Sequence, residues 1–211
     1  MPEASVLELA RFAAARLERE PFDHLVLPDF IAEGALETLV SDFPKIEDGG
    51  SIPAASLDCR PAFRDFLAEL EGPALRRAFE AKFDIDLTGR PTMVTLRGQS
   101  RAKDGRIHSD SRSKLITALI YLNRDWDHEG GRLRLLNGPD DMEDYVREVT
   151  PLAGTLIAFR CQENAFHGHK PFVGPRASVQ LNWLTEDAVL TRELSRHGFS
   201  AFLKKLTRLG K

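Results

Sequence analysis

At Pro91 the hydrophobic periodicity of this chain changes from helical to alternating, and that switch constrains the fold more than any other feature. Before it, apolar residues recur at three- and four-residue intervals. After it, short runs alternate apolar and polar residues between Gly, Pro, Asn and Asp turn signals. These runs fall near 92–97, 106–110, 115–122, 132–136, 145–149, 154–160, 165–168 and 176–184. Eight short strands in succession predict a mainly β (α+β) fold, a double-sheet jelly roll of the cupin-like, double-stranded β-helix kind.

The first part supplies the helices. Val6, Leu7, Leu9, Ala10, Phe12, Ala13 and Leu17 predict one amphipathic helix over 4–19, ended by Pro21. A short strand near 23–27 leads to a helix from about Ile31 to Asp42, stopped by Pro44, with Leu36, Leu39, Val40 and Phe43 on its buried side. Residues 45–60, with Gly49, Gly50 and Pro53, read as loop. Pro61 opens a helix through Leu70, and Pro73 another through about Phe83. Helical spacing returns over 187–208 through Leu190, Leu194, Phe202, Leu203 and Leu206. Its Arg192, Arg196, Lys204, Lys205 and Arg208 read as a solvated basic face. The expected organisation is a single domain over 1–211: a helical part to 88, a jelly-roll core over 90–185 and a C-terminal helix.

The chemistry is carried by His108-Ser109-Asp110, with His167 and Arg176 further along. Side chains alternate on an extended strand, so His108 and Asp110 point the same way, and a distant strand can bring His167 to the same point. Two imidazoles and a carboxylate cover one face of an octahedral ion and leave the opposite positions open, the facial arrangement suited to Fe(II). A 2-oxo acid can chelate through two open positions and leave one for oxygen, if something grips its far end. Arg176 suits that task, because its planar, permanently charged fork matches a carboxylate.

The strand bearing Arg176 strengthens this reading. Arg176, Ser178, Gln180 and Asn182 alternate with Ala177, Val179, Leu181 and Trp183. The polar face is expected to line a ligand cavity while the apolar face packs on the rest of the fold. The plain alternative is a surface strand with one wetted face.

These residues also carry a family resemblance. His108-Ser109-Asp110, the run Thr117 to Asn123, Trp126, Gly130 to Leu135, Gly154-Thr155-Leu156, Phe166 to His169 and Gly174-Pro175-Arg176 resemble the iron- and 2-oxoglutarate-dependent dioxygenases of the prolyl-4-hydroxylase-like branch. The resemblance is close over roughly 90–185, and Pro21 to Phe30 resembles the entry strand of that branch. It implies a double-stranded β-helix, with His108, Asp110 and His167 as iron ligands and Arg176 as the anchor of 2-oxoglutarate. Tyr121 stands where the branch often has a Tyr whose hydroxyl assists that Arg; the competing reading is a core aromatic. Thr117 and Tyr121 are the polar members of their run and share one face. Tyr121 and Ser178 are therefore assigned with Arg176 to the cosubstrate. The implied reaction is hydroxylation with oxidative decarboxylation of 2-oxoglutarate to succinate and carbon dioxide. Fe(II), 2-oxoglutarate and O2 are the cofactors, with ascorbate as a candidate auxiliary reductant.

Two histidines compete for the distal ligand position, because His169 can share a strand face with His167. The branch spaces its distal His and its Arg as His167 and Arg176 are spaced, which favours His167. His24, His128 and His197 fall in no ligand spacing and read as surface or structural. Arg97, Gln99, Arg101, Lys103 and Arg106 crowd the approach to His108, either as a solvated loop or to recognise an anionic or polar substrate. Asp140 to Asp144 reads as an exposed loop. Asn182 stands where peptide hydroxylases of the branch often carry a bulky residue, a departure that speaks against a peptidyl-proline substrate.

Composition bounds the partners. A net charge of −3 indicates neither a nucleic-acid nor a membrane partner, and 42% hydrophobic content over 211 residues supports a substantial core. Cys59 and Cys161 form no CxxC-type pair, so neither structural zinc nor a disulfide framework is indicated. Charged residues through the first twenty positions exclude an apolar signal core, and a soluble protein in a reducing cytoplasm is expected. Two other classes remain open: a cupin-like metal enzyme that does not use 2-oxoglutarate, and a non-catalytic jelly-roll binding module. The first has no need of Arg176, and succinate release separates it. Oxygen uptake with iron and 2-oxoglutarate excludes the second. The prime substrate is left open among a peptidyl residue, a sugar and a small metabolite, as is the oligomeric state.

Overall fold

The computed structural model of the protein describes residues 5–186. The helix expected over 187–208 lies outside them.

The helices come first: α1 (Leu9–Ala14), α2 (Glu33–Ser41), α3 (Pro61–Leu70) and α4 (Pro73–Phe83). Proline at the first position of α3 and α4 starts both where the sequence predicts, because that position needs no N–H partner. Phe63, Phe66 and Leu70 on α3, with Leu75, Phe79 and Phe83 on α4, are buried at helical spacing. Phe79 joins the layers. Its ring lies 4.8 Å from Trp183 and 4.7 Å from Phe12, and it stacks on Phe83. Burying each such ring stabilises the fold by about 1.5–3 kcal/mol.

The expected helix over 4–19 is shortened to α1. Its flanks take tertiary partners in place of carbonyls four residues back: Glu8 N–H donates to Phe30 O, and Glu18 pairs with His24 through two backbone bonds. Lys82 Nζ donates to Ala13 O and Ala15 O, satisfying carbonyls left open at the helix C-terminus.

The strands are β1 (His24–Leu27), β2 (Ile52–Pro53), β3 (Thr92–Ser100), β4 (Lys114–Tyr121), β5 (Leu133–Leu136), β6 (Tyr145–Val149), β7 (Leu156–Arg160), β8 (His167–Gly168) and β9 (Gly174–Leu184). They form a six-stranded sheet, order β1-β7-β4-β9-β3-β2, and a three-stranded sheet, order β6-β5-β8, with every pairing antiparallel. These are the two packed sheets of a double-stranded β-helix.

Two expectations are corrected. The loop expected over 45–60 contains β2, whose Pro53 sits on the edge of the large sheet, where a missing N–H does no harm. Residues 106–110 are not a strand. His108 makes an isolated bridge to His167, with N–H to O distances of 3.0 and 2.9 Å, between the turn at Gly105 and the turn before β4. Gly105 has φ +87°, and a Cβ there would collide with the His169 ring, so the turn needs glycine.

The large sheet has two distinct faces. Ile116, Ala118, Ile120, Val179, Leu181 and Trp183 turn outward into one cluster with the helices. Tyr121, Ile157 and Phe159 turn inward to Leu133 and Leu135 of the small sheet. Period-2 alternation thus gives each strand one face for the helical core and one for the space between the sheets. No helix among the described residues is long and apolar enough to cross a membrane.

Candidate active site

The space between the sheets holds a cavity of about 130 Å³. At one end the ligand atoms of His108, Asp110 and His167 lie within 4.8 Å of one another. Burial is graded: His108 is exposed, Asp110 half-buried and His167 buried. His108 Nδ1 lies 2.9 Å from Arg106 O, and His167 Nδ1 lies 3.0 Å from Ala165 O. A carbonyl can only accept, so Nδ1 carries the proton in both rings and each Nε2 offers its lone pair. Burial, aided by the neighbouring His108, holds the His167 imidazole at a pKa of about 4, neutral and ready to ligate.

Asp110 is held as a carboxylate. Burial would raise its pKa, but Lys114, His167 and a hydrogen bond from Thr117 outweigh that and lower it to about 2. Lys114 Nζ donates to Oδ1 at 2.8 Å, and Thr117 Oγ1 donates to Oδ2 at 2.5 Å. Each carboxylate oxygen has two acceptor sites, so both bonds leave capacity for a metal. Two neutral imidazole nitrogens and one carboxylate suit Fe(II). Cys161 Sγ lies 3.9 Å from Asp110 Oδ2, yet burial first, then the Asp110 charge, push the thiol up to about 12. It stays protonated and does not add a thiolate to the donor set.

Arg176, from β9, is a buried wall residue of the same cavity. Its Nε donates to Gly131 O and its Nη2 to Tyr121 Oη, both at 2.8 Å. Gly131 adopts φ +77° to present that carbonyl. Nη1 has no partner among the described residues, so the fork is fixed on one side and free on the other. Ser178 sits between Tyr121 and Arg97 in register on the sheet, and Gln180 sits between Leu119 and Thr95. Leu119, Leu133 and Phe159 form the apolar part of the wall.

Residues 98–184 match the family model of the 2OG-Fe(II) oxygenase superfamily. The chain carries a 2OG-Fe(II) oxygenase domain. It is an oxidoreductase, and the family implies Fe(II), 2-oxoglutarate and O2. Among solved structures, the oxygenase resembles a Pseudomonas putida prolyl-4-hydroxylase at 20% identity and TM-score 0.62, covering 86% of this chain and 97% of that one. An oxidoreductase of the 2OG-Fe(II) oxygenase family from Burkholderia pseudomallei matches at 15% identity and TM-score 0.54, over 87% of this chain and 94% of that one. A Trichoplax adhaerens prolyl hydroxylase, solved with a peptide fragment of the hypoxia inducible factor oxygen degradation domain, matches at 17% and 0.50, over 78% and 84%. The fold is therefore of prolyl-hydroxylase-like type. No curated protein matches the chain.

The oxygenase brings His108, Asp110, His167, Arg176 and Ser178 to one cavity. Tyr121 lies behind Arg176, fully buried, with its hydroxyl on the guanidinium and its ring 5.0 Å from it, outside the cavity wall. His169 lines the cavity but stands apart from the three-donor cluster; its Nδ1 lies 2.8 Å from Lys170 O. His24 is buried and bonded to Phe22 O, and His128 packs against Trp126 and Phe172. His197 lies outside the described residues.

Sequence reasoning missed the support behind Asp110. Gln180 Nε2 donates to Asn182 Oδ1, Asn182 Nδ2 to Thr117 Oγ1, and Thr117 to Asp110. The signal was the polar face of β9, whose last member, Asn182, reaches Asp110 through Thr117. The basic run also divides: Arg97 lines the cavity, Arg101 closes on Asp104, and Lys103 and Arg106 are exposed.

Proposed function

We propose that this oxygenase hydroxylates a C–H bond of its substrate, with His108, Asp110 and His167 holding Fe(II) and Arg176 holding the distal carboxylate of 2-oxoglutarate. What carries the reading is one cavity with the three-donor cluster at one end and the half-free Arg176 fork on its wall. Bound iron supplies the oxidising chemistry, by which substrate, O2 and 2-oxoglutarate become hydroxylated product, succinate and carbon dioxide.

The protein's own groups do the positioning. The carbonyls of Arg106 and Ala165 fix the two ring tautomers, so that both Nε2 lone pairs would be available to hold the ion. Thr117 and Lys114 hold Asp110 ionised and in one orientation. Tyr121 and Gly131 O lock Arg176, so little side-chain freedom is lost when a carboxylate docks. Ser178 adds a hydroxyl on the same wall, while Leu119, Leu133 and Phe159 keep water from the reacting centre. Asn182 is engaged with Thr117, so nothing at that position supplies the bulky wall that a peptidyl-proline pocket would use. A reducing cytoplasm, where Fe(II) and both free thiols stay reduced, is the compartment this reading implies.

The test is oxygen uptake and succinate formation by the purified protein with Fe(II) and 2-oxoglutarate, with and without candidate substrates. Succinate release that depends on Fe(II) supports the reading. Arg176→Leu should weaken 2-oxoglutarate binding far more than metal binding, and equal loss of both removes Arg176 from its assigned role.

A further inference from the structure

Arg97 is a second guanidinium on the wall of the metal cavity, and the cosubstrate reading leaves it without a task. It projects from β3 opposite Ser178 of β9, so the two side chains stand next to each other on the cavity wall. Among the described residues its one ion-pair partner is Asp104, at 3.3 Å from Nη1. That carboxylate is already held by Arg101, through Nη2 at 3.1 Å, Nε at 3.3 Å and the backbone N–H at 3.0 Å. Among the described residues the guanidinium groups of Arg97 and Arg101 thus share the Asp104 carboxylate, and Arg97 is the one of the two that lines the cavity. Arg97 Nη2 makes a long 3.4 Å bond to Ser51 Oγ, a hydroxyl that also lines the cavity and brings no charge.

A half-buried cation that no anion balances is costly unless a ligand neutralises it. Burial of Arg97 and its repulsion from Arg176 both act against its charged form, and Asp104 offsets only part of this. 2-Oxoglutarate brings two negative charges, one carboxylate for the metal end and one for Arg176. Ser51, His169 and Gln180, all polar, line the same cavity as Arg97.

We propose that Arg97 recognises a carboxylate carried by the prime substrate, so that this oxygenase acts on an anionic molecule held beside the metal by its acid group. Asp104 occupies one side of the guanidinium, which leaves room for one monovalent oxyanion. Ser51 and Gln180 are placed to complete its hydrogen bonding. The inference rests on the assignment of Arg176 to 2-oxoglutarate.

The test uses the protein loaded with Mn(II) and 2-oxoglutarate, with trifluoroacetate as the probe and its fluorine relaxation as the readout. A carboxylate bound at Arg97 lies close enough to the ion for its fluorines to relax faster, and the enhancement should saturate. Arg97→Leu should weaken trifluoroacetate binding by roughly tenfold or more, while 2-oxoglutarate binds with its original affinity. Retained 2-oxoglutarate binding also shows that the variant is folded, and Arg97→Lys, which keeps the charge, should recover part of the effect. Enhancement equal in wild type and Arg97→Leu overturns the proposal, because the probe then binds elsewhere or on the ion itself. Loss of 2-oxoglutarate affinity in both Arg97 variants also overturns it, by assigning Arg97 to the cosubstrate. Arg176→Leu separates the two readings: unchanged 2-oxoglutarate affinity there defeats the cosubstrate assignment whatever the fluorine signal shows.

Discussion

Thr117 Oγ1 lies 2.5 Å from Asp110 Oδ2 and 2.7 Å from Asn182 Nδ2, so one hydroxyl donates to the acidic member of the metal cluster while accepting from a fully buried amide. That double engagement fixes the hydroxyl hydrogen on the Asp110 side. Thr117→Val should therefore lower Mn(II) affinity by about 10–100-fold. It should also destabilise the fold by about 1–3 kcal/mol, because Asn182 loses its acceptor. Thr117→Ser should restore both. Manganese titration followed by electron paramagnetic resonance checks the first effect, and unchanged affinity in Thr117→Val would show that Asp110 needs no brace.

On the proposed assignment of Arg176, Tyr121 would act on the cosubstrate through that guanidinium. Tyr121→Phe keeps the packing of a fully buried ring and removes only the acceptor at 2.8 Å from Arg176 Nη2. The expected result is 2-oxoglutarate affinity reduced by roughly tenfold with Mn(II) affinity unchanged. Anaerobic titration of the metal-loaded protein reads both. A variant that binds 2-oxoglutarate like wild type would reduce Tyr121 to a core aromatic.

Removal of a cluster member should abolish metal binding outright. His167→Ala and Asp110→Ala each leave two donors of the three that lie within 4.8 Å. Neither should retain stoichiometric Mn(II), whereas His169→Ala should retain it, since His169 stands outside that cluster. Metal analysis after dialysis decides this, and loss of metal from the His169 variant would reverse the choice between the two histidines.

Phe79 ties the helices to the large sheet through Trp183, Phe12 and Phe83. Phe79→Ala should cost about 3–5 kcal/mol in urea unfolding, the range for deleting a buried aromatic. A loss below about 1 kcal/mol would mean that the helices contribute little to holding the sheet.

The loop before His108 should loosen in acid. Burial works against ionisation of Asp104, but Arg101, by side chain and backbone, and Arg97 lower its pKa below the ordinary carboxylate value. The folded protein therefore holds this proton less tightly than the unfolded chain. The contribution is complete above the unfolded-state pKa of about 3.9 and fades as pH falls through the lower folded value. The stability gap between wild type and Asp104→Asn should be widest near neutrality and shrink on acidification below about pH 4. A gap that stays constant with pH would show that the ion pairs contribute nothing to stability.

Local chemistry made several elements legible. The helices over 61–70 and 73–83 and the strand over 145–149 lie where the sequence puts them, because Pro at a helix start and turn residues at a strand end act over a few residues. The helix over 4–19 failed because Phe30 and His24 compete for the backbone groups of its flanks, and those partners are distant in the chain. The strand over 106–110 failed for a related reason. Gly105 turns the chain there, and one bridge to His167 replaces a ladder.

The sequence by itself picked out the groups that the structure brings to one cavity, two imidazoles, one carboxylate and one guanidinium, and the alternation along β9 sends Arg176 and Ser178 to the cavity face. It also determined the layers, since period-2 and period-3.6 patterns need different partners for their apolar faces. Only the tertiary structure decided that Lys114 and Thr117 share Asp110, that Asn182 braces Thr117, and that Arg97 of the basic run lines the cavity. Those relations depend on which strands lie side by side and in what register. Register is set by packing across the whole sheet, and no local pattern of residues encodes it.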